Sequence, residues 1–270
     1  MKQVLTVVLF LMAASGYAQE DSFKRSNSKA QRYWFLGTGL SFQSMYDEAV
    51  SYVRYHNTGA AFTLGMVKSS EKKYNEFFID PSFVVLQTDE SNDLRPMKVF
   101  TTRFSVGYQY LIKFIQWSES SKLYAGGAAN LLFNLKRAPQ LDNSQLVYDY
   151  ALSIGPAAKW DKQFTWKKRK HTLSFNLGVP ILAHIARPYY LNRIEFIDPD
   201  NDFLGDLFSN SHVTSVNDYI RVISDISITR PLFNGNALKL AYQWDFYKMK
   251  TINKVYAAEH QVTIVFMSNY

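Results

Sequence analysis

The 270-residue sequence contains no cysteine. That excludes disulfides, thiol chemistry, thiolate zinc sites and lipid attachment through a cysteine. It has 12 glycines, but none are arranged as a phosphate-binding loop or a dinucleotide fingerprint. Beyond the N-terminus, no apolar run approaches the roughly 20 residues of a transmembrane helix. Histidines number only 5, and no spacing ties one to an acid as base and orienter. No catalytic, cofactor-binding or metal site is therefore expected, and function has to be sought in the pattern of the chain.

What is present begins with an export signal. Lys2 supplies a positive start, Val4 to Ala14 a short apolar core, and Gly16-Tyr17-Ala18 the small residues of a cleavage site. The expected organisation is a signal peptide over 1–18, a flexible segment over 19–32 and one folded domain over 33–270.

From Tyr33 onward the hydrophobic period is two, the spacing of strands. Leu238, Leu240, Tyr242, Trp244 and Phe246 alternate with Lys239, Gln243 and Asp245. Val262, Ile264, Phe266 and Tyr270 alternate with Gln261, Thr263 and Asn269. Similar segments surround Phe104–Tyr110, Tyr148–Trp160, Leu173–Val179 and Ile220–Ile228. Less regular ones run over Tyr33–Gln43, Gly59–Lys68, Tyr74–Gln87 and Leu123–Lys136. The total is about ten strands, most long enough for the roughly 9–11 residues that cross a bilayer at a tilt.

Aromatic residues reach 16%, and Tyr and Trp sit toward strand ends, as in interfacial girdles. The opposite face holds small residues (Gly37, Gly39, Gly65, Gly107, Gly126, Ala128, Gly155, Gly178) together with charges of both signs. Glu76, Asp80, Arg103, Arg221, Asp225, Lys239 and Asp245 are the expected members of a lumen ion-pair network, because paired charges are the kind a poorly hydrated interior tolerates. These features favour an inverted barrel, greasy outside and polar inside, over a soluble one.

With both chain ends on one side, short turns are expected near Ser69–Lys73, Lys113–Ser121, Lys162–Lys170 and Pro231–Asn236. Longer loops fall near Met45–Thr58, Thr88–Pro96, Arg137–Gln145, Arg187–Ser215 and Lys250–Lys254. Pro81, Pro156 and Pro180 lie inside strands, where a missing donor calls for a bulge or a strand end. The net charge is +7. Its densest run, Lys167-Lys168-Arg169-Lys170-His171, lies between two strands and reads as a solvated turn rather than a nucleic-acid surface.

The signal, the dyad-repeat strands and the closing segment Gln261–Tyr270 together resemble the bacterial outer-membrane β-barrel class. The resemblance implies an all-β, antiparallel, up-and-down transmembrane barrel, closed, of about ten strands. It also implies contact with outer-membrane lipid, and recognition of the last strand, with Phe266 and Tyr270, by the barrel-assembly machinery. It does not select a functional family. Outer-membrane phospholipases of the twelve-stranded type carry a His-x-Ser pair, which His171-Thr172-Leu173 and His212-Val213-Thr214 do not match. Ten-stranded outer-membrane proteases set Asp and His at the outer rim. Here His184 has inward parity near its strand end, and His56, His212, Asp198, Asp200, Asp202 and Asp206 fall in outer loops without linking spacing. Asp198-Pro-Asp200-Asn-Asp202 lacks the glycine and distal glutamate of an EF-hand loop and reads as a solvated acidic turn. The apolar Phe203–Phe208 stretch makes loop 187–215 the expected surface for an envelope protein. The leading expectation is a filled-lumen barrel acting as a structural or accessory component of an envelope assembly. The alternatives are a narrow channel for small polar solutes and a rim hydrolase.

Overall fold

A computed structural model describes residues 30–88, 97–140, 146–167, 169–187, 211–232, 235–251 and 253–270. The expected signal peptide, most of the expected flexible segment and the 188–210 stretch lie outside the described residues. Gln31–Tyr270 forms one unit.

Strand alternation produces twelve strands: β1 (Gln31–Asp47), β2 (Ser51–Ser69), β3 (Lys73–Gln87), β4 (Lys98–Ser118), β5 (Ser121–Arg137), β6 (Leu146–Trp166), β7 (Arg169–Gly178), β8 (Leu182–Ala186), β9 (His212–Ser215), β10 (Tyr219–Pro231), β11 (Ala237–Lys250) and β12 (Lys254–Asn269). All pairings are antiparallel between neighbours, and β1 pairs with β12 while β5 pairs with β6. The ladders therefore close a ring of ten positions. β7 and β8 are two halves of one wall strand, both paired with β6. β9 and β10 are likewise halves of the next. Gln31–Tyr270 forms a closed antiparallel β-barrel, with Gln31 and Tyr270 at one end of it and the strand ends that flank the longer connections at the other.

The β7/β8 break is a bulge. Ala157 pairs with Gly178, but Ile154 pairs with Leu182, so three steps along β6 match four along its partner. Pro156 and Pro180 sit at this point. The backbone bonds around them survive: Val179 N–H donates to the Pro156 carbonyl (3.1 Å) and Ile181 N–H to the Ile154 carbonyl (2.9 Å). The extra residue leaves Ile181 and Leu182 both outward, 55% and 45% exposed, and reverses the side-chain parity of the strand beyond it. Pro81 behaves differently. It marks a gap in the β2–β3 ladder between Ala61↔Ser82 and Leu64↔Ile79, without a change of register.

The strands extend further than the alternation implied. β4 runs to Ser118 and β6 to Trp166, which shrinks the turns expected over Lys113–Ser121 and Lys162–Lys170. The expected loop Met45–Thr58 is mostly strand, with β1 reaching Asp47 and β2 starting at Ser51. The alternation is hidden there because the apolar side chains change faces along the strand. On β1 the outward apolar stretch runs from Trp34 to Phe42, close to the length that crosses hydrocarbon. Beyond it, outward positions turn polar (Ser44, Arg54, His56, Thr58). Inward positions turn apolar instead: Met45 and Tyr55 join Leu86, Leu132, Ile185 and Met249 in a buried cluster. Along β1 and β2 apolar side chains thus point inward at the loop end and outward in the middle, so the phase of the hydrophobic pattern inverts within one strand.

Candidate functional site

The lumen is the place where the fold gathers chemistry, and three layers of polar side chains cross it. The middle layer is centred on Asp245 of β11. Arg221 of β10 grips this carboxylate with two bonds, Nε to Oδ1 (3.0 Å) and Nη2 to Oδ2 (2.6 Å). Arg103 of β4 donates to the same Asp245 from across the ring. Its other nitrogen pairs with Glu259 of β12 at 3.0 Å. Glu259 in turn accepts from Ser41 Oγ (2.5 Å) and Gln43 Nε2 (3.0 Å) of β1. Arg221 also reaches Ser105 of β4 (2.8 Å). In a ring of ten positions, β4 and β11 stand opposite each other, so Arg103 and Asp245 span the full width of the barrel. Two acids and two bases balance in this layer, and all four are nearly inaccessible, as a charge held out of water requires.

The loop-end layer repeats the arrangement with different residues. Lys136 of β5 pairs with Asp47 of β1 (2.5 Å) and with Asp149 of β6. Arg187, just after β8, pairs with the same two acids. Tyr247 of β11 donates to Asp149 Oδ2 (2.6 Å) and accepts from Asn134 Nδ2 (2.9 Å). This layer too has two acids and two bases.

Toward the chain termini the interior is looser. Lys239 lies 3.6 Å from Asp225. Asp80 accepts from Thr63 Oγ1 at 2.5 Å. Glu76 accepts from Tyr74 (2.9 Å) and Gln109, and Gln109 accepts from Asn176 (3.2 Å). Below them Val67, Tyr74, Leu111 and Tyr124 pack together, with Tyr33 and Phe35 against them, as a largely apolar floor that also holds the Lys159–Asp161 ion pair, Lys159 Nζ lying 4.6 Å from the Tyr74 ring centroid.

Glycines let the wall close around this filling. A Cβ on Gly39 would stand 1.8 Å from the Val262 carbonyl oxygen, and one on Gly107 would strike the Phe78 ring. Any larger residue at Gly39 would push β1 off β12.

Of the charges expected in the lumen, Arg103, Arg221 and Asp245 form one cluster and Lys239 and Asp225 one pair. Glu76 and Asp80 sit inside with neutral hydrogen-bond partners. Sequence reasoning missed Glu259, and all of Asp47, Lys136, Asp149 and Arg187 as a cluster. Glu259 and Asp149 carried the signal, since both lie on the polar phase of their strands. Asp47 and Arg187 did not, because they lay in segments read as loops.

The elements of a rim hydrolase do not assemble among the described residues. His184 has outward parity, a reversal of the expectation caused by the bulge at Val179–Ile181. Its ring meets Tyr150 edge-on at 5.9 Å. His56 lies on the outer wall opposite Ser44, and His212 opens β9 at the rim. Asp198, Asp200, Asp202 and Asp206 lie outside the described residues, as does the Phe203–Phe208 stretch. The described residues hold no group of three or more His, Cys, Asp and Glu suited to a metal ion.

One further regularity concerns the charges. Among the described residues, every acidic residue on the strands (Asp47, Glu76, Asp80, Asp149, Asp161, Asp225, Asp245, Glu259) lies on the lumen phase. Outward-facing strand charges such as Arg54, Lys68, Lys73, Lys98, Arg137 and Lys248 are basic.

No protein-family profile matches the sequence, and no curated protein is similar to it. Among solved structures, the chain is similar to the outer membrane protease OmpT from Escherichia coli, at 8% identity and a TM-score of 0.45, over 93% of this chain and 99% of that one. It is also similar to the translocator domain of the autotransporter NalP from Neisseria meningitidis, at 7% identity and a TM-score of 0.35, over 97% and 96% of the two chains. A third is the Pseudomonas putida toluene transporter TodX, at 6% identity and a TM-score of 0.31, over 90% of each. At these identities the likeness concerns the course of the chain alone.

Proposed function

We propose that this chain is an integral outer-membrane barrel with a filled lumen, serving as a structural or accessory component of an envelope assembly rather than as a pore. The observation that carries this reading is the contact of Arg103 with Asp245 across the full width of the ring, backed by Arg221 and Glu259. A conducting path would have to run through side chains locked in a neutral, desolvated network, with an apolar floor beneath it. The Trp34–Phe42 stretch and its neighbours supply the lipid-facing band. The chain ends would lie on the periplasmic side and the long connections outside, the usual arrangement of such barrels.

The C-terminal strand supports the same placement. Tyr270 packs on Trp34 with ring centroids 5.8 Å apart, and β12 closes the ring against β1. Phe266 and Tyr270 are then the residues the barrel-assembly machinery would read during biogenesis. Loop 187–215 is the proposed contact for an envelope partner.

Planar-bilayer recording tests the filled lumen. The purified full chain should give no stable single-channel step. A reproducible unitary current would replace this reading with that of a narrow channel for polar solutes. Copurification after mild detergent extraction tests the accessory role, the expected result being one envelope protein that is lost when residues 198–208 are deleted.

A further inference from the structure

The outer wall carries a feature that the filled lumen does not use. Where the apolar band ends at the loop end of β11, β12, β1 and β2, small residues leave a notch. Ser44 and Ala258 are cross-strand neighbours on the outward face, and Phe246 pairs with Ala258 from the other side. Tyr46, Phe246 and Tyr256 rise around them, and Arg54 completes a groove of about 480 Å³. Tyr46 and Tyr256 pack at 6.0 Å, and Trp244 stacks on Phe246 at 6.2 Å. Lys248 Nζ lies 4.9 Å from the Tyr256 ring centroid. An aromatic-lined dent at the edge of the hydrocarbon band suits an amphipathic molecule with one end in oil and the other in water.

Charge identifies the wet end of that molecule. The Arg54 guanidinium lines the groove, the Lys248 ammonium stands against its Tyr256 wall, and no acid among the described residues lines it. Asp47, Asp245 and Glu259 adjoin groove residues along the chain but are buried on the lumen side, and Glu48, beyond the end of β1, accepts from the Lys254 amide at 2.9 Å. Because the described strand acids all face the lumen, the strands present anions with cations alone on the outer wall, Arg54 and Lys248 among them. Arg binds phosphate oxygens through a planar fork, and Lys adds a point charge.

We infer that this groove binds the phosphorylated headgroup of a lipid in the adjoining leaflet, its phosphate held between Arg54 and Lys248 and its first acyl chain descending past Ser44 and Ala258. The inference rests on the membrane placement proposed above, and it adds a specific lipid site to a general lipid-facing band.

The test uses the full chain in phosphatidylcholine vesicles, with and without diphosphoryl lipid A as the probe. Insertion into plain phosphatidylcholine is scored first, so failure of the membrane placement shows as failure to insert. In inserted protein, lipid A should bind saturably, and inorganic phosphate should not displace it. Each surface cation contributes about fivefold to attraction for anionic lipid, so Arg54→Ala with Lys248→Ala should weaken binding by about thirtyfold. Ala258→Trp, which fills the notch without altering charge, should weaken it as well. Lys98→Ala with Arg137→Ala removes two exposed rim cations from β4 and β5, across the ring from the groove and beyond a screening length of about 8 Å, and should leave binding within about twofold. Equal losses in both double variants, or no loss in the first, would overturn the assignment, as would displacement of lipid A by free phosphate.

Discussion

Arg103 and Asp245 come from opposite walls of the barrel and meet at its axis, their side chains only 3% and 4% exposed. Asp245 also receives the bidentate grip of Arg221. One carboxylate therefore ties β4, β10 and β11 together across the lumen, and its loss should be felt by the whole ring. Asp245→Asn leaves Arg103 and Arg221 buried in one layer with a single acid, Glu259, which pairs with Arg103. Removing one partner of a buried pair costs about 3–5 kcal/mol, and the variant should show that loss in urea unfolding. Adding Arg221→Gln should restore part of it, because one uncompensated charge goes with it. A single variant as stable as the parent would show that the network does not hold the barrel.

The same layer should act as the electrical seal. Arg103→Ala with Arg221→Ala removes the two largest side chains there and leaves Asp245 and Glu259 lining the gap. Bilayer recordings should then show current that favours cations, where the parent shows none. Unchanged silence would move the seal to the loop-end layer of Asp47, Lys136, Asp149 and Arg187, or to the apolar floor.

Two glycines make a paired test of how tightly the wall closes. A Cβ on Gly39 would overlap the Val262 backbone, whereas one on Gly178 meets nothing within 4 Å. Gly39→Ala should cost about 1–3 kcal/mol, the range for overpacking. Gly178→Ala should stay within about 0.5 kcal/mol of the parent. Equal effects would contradict the registers of β1 on β12 and of β7 on β6.

The bulge can be checked because the chain has no cysteine, so single cysteines report without background. The structure puts His184 outward and Ile185 inward, with Ile185 fully buried. His184→Cys should react with a membrane-permeant maleimide in inserted protein, and Ile185→Cys should not. The reverse pattern would remove the bulge and restore the parity read from uninterrupted alternation.

Much of this fold is legible in the residues. Leu238–Phe246 and Val262–Tyr270 announce their two faces by alternation, with Ala241, Val265 and Met267 as apolar exceptions on the inner phase, and Arg103, Arg221 and Asp245 fall on the polar phase. Two physical effects hide the rest. An inserted residue at a bulge leaves the local pattern intact but flips the facing of each later position on the strand, so alternation alone puts His184 on the wrong side. The hydrophobic pattern also changes phase along the strands. Around Met45–Thr58 the apolar face changes from outward to inward, and a pattern that changes phase reads as no pattern. Asp47 is lost with it, and with Asp47 the loop-end cluster. Pairing across the lumen is not readable at all, since nothing in the order of residues says that β4 faces β11.

Everything from the lumen seal to the lipid groove depends on the inversion of faces, and the tryptophans report on it directly. Trp34, Trp117 and Trp166 are all strongly exposed on the barrel surface, and Trp34 opens the apolar band. The decisive measurement is tryptophan fluorescence of the refolded full chain in vesicles, with brominated acyl chains as quenchers. The structure predicts stable insertion and strong quenching that Trp34→Phe reduces. A chain that stays monomeric in water without detergent, with tryptophan emission untouched by brominated lipid, would contradict it.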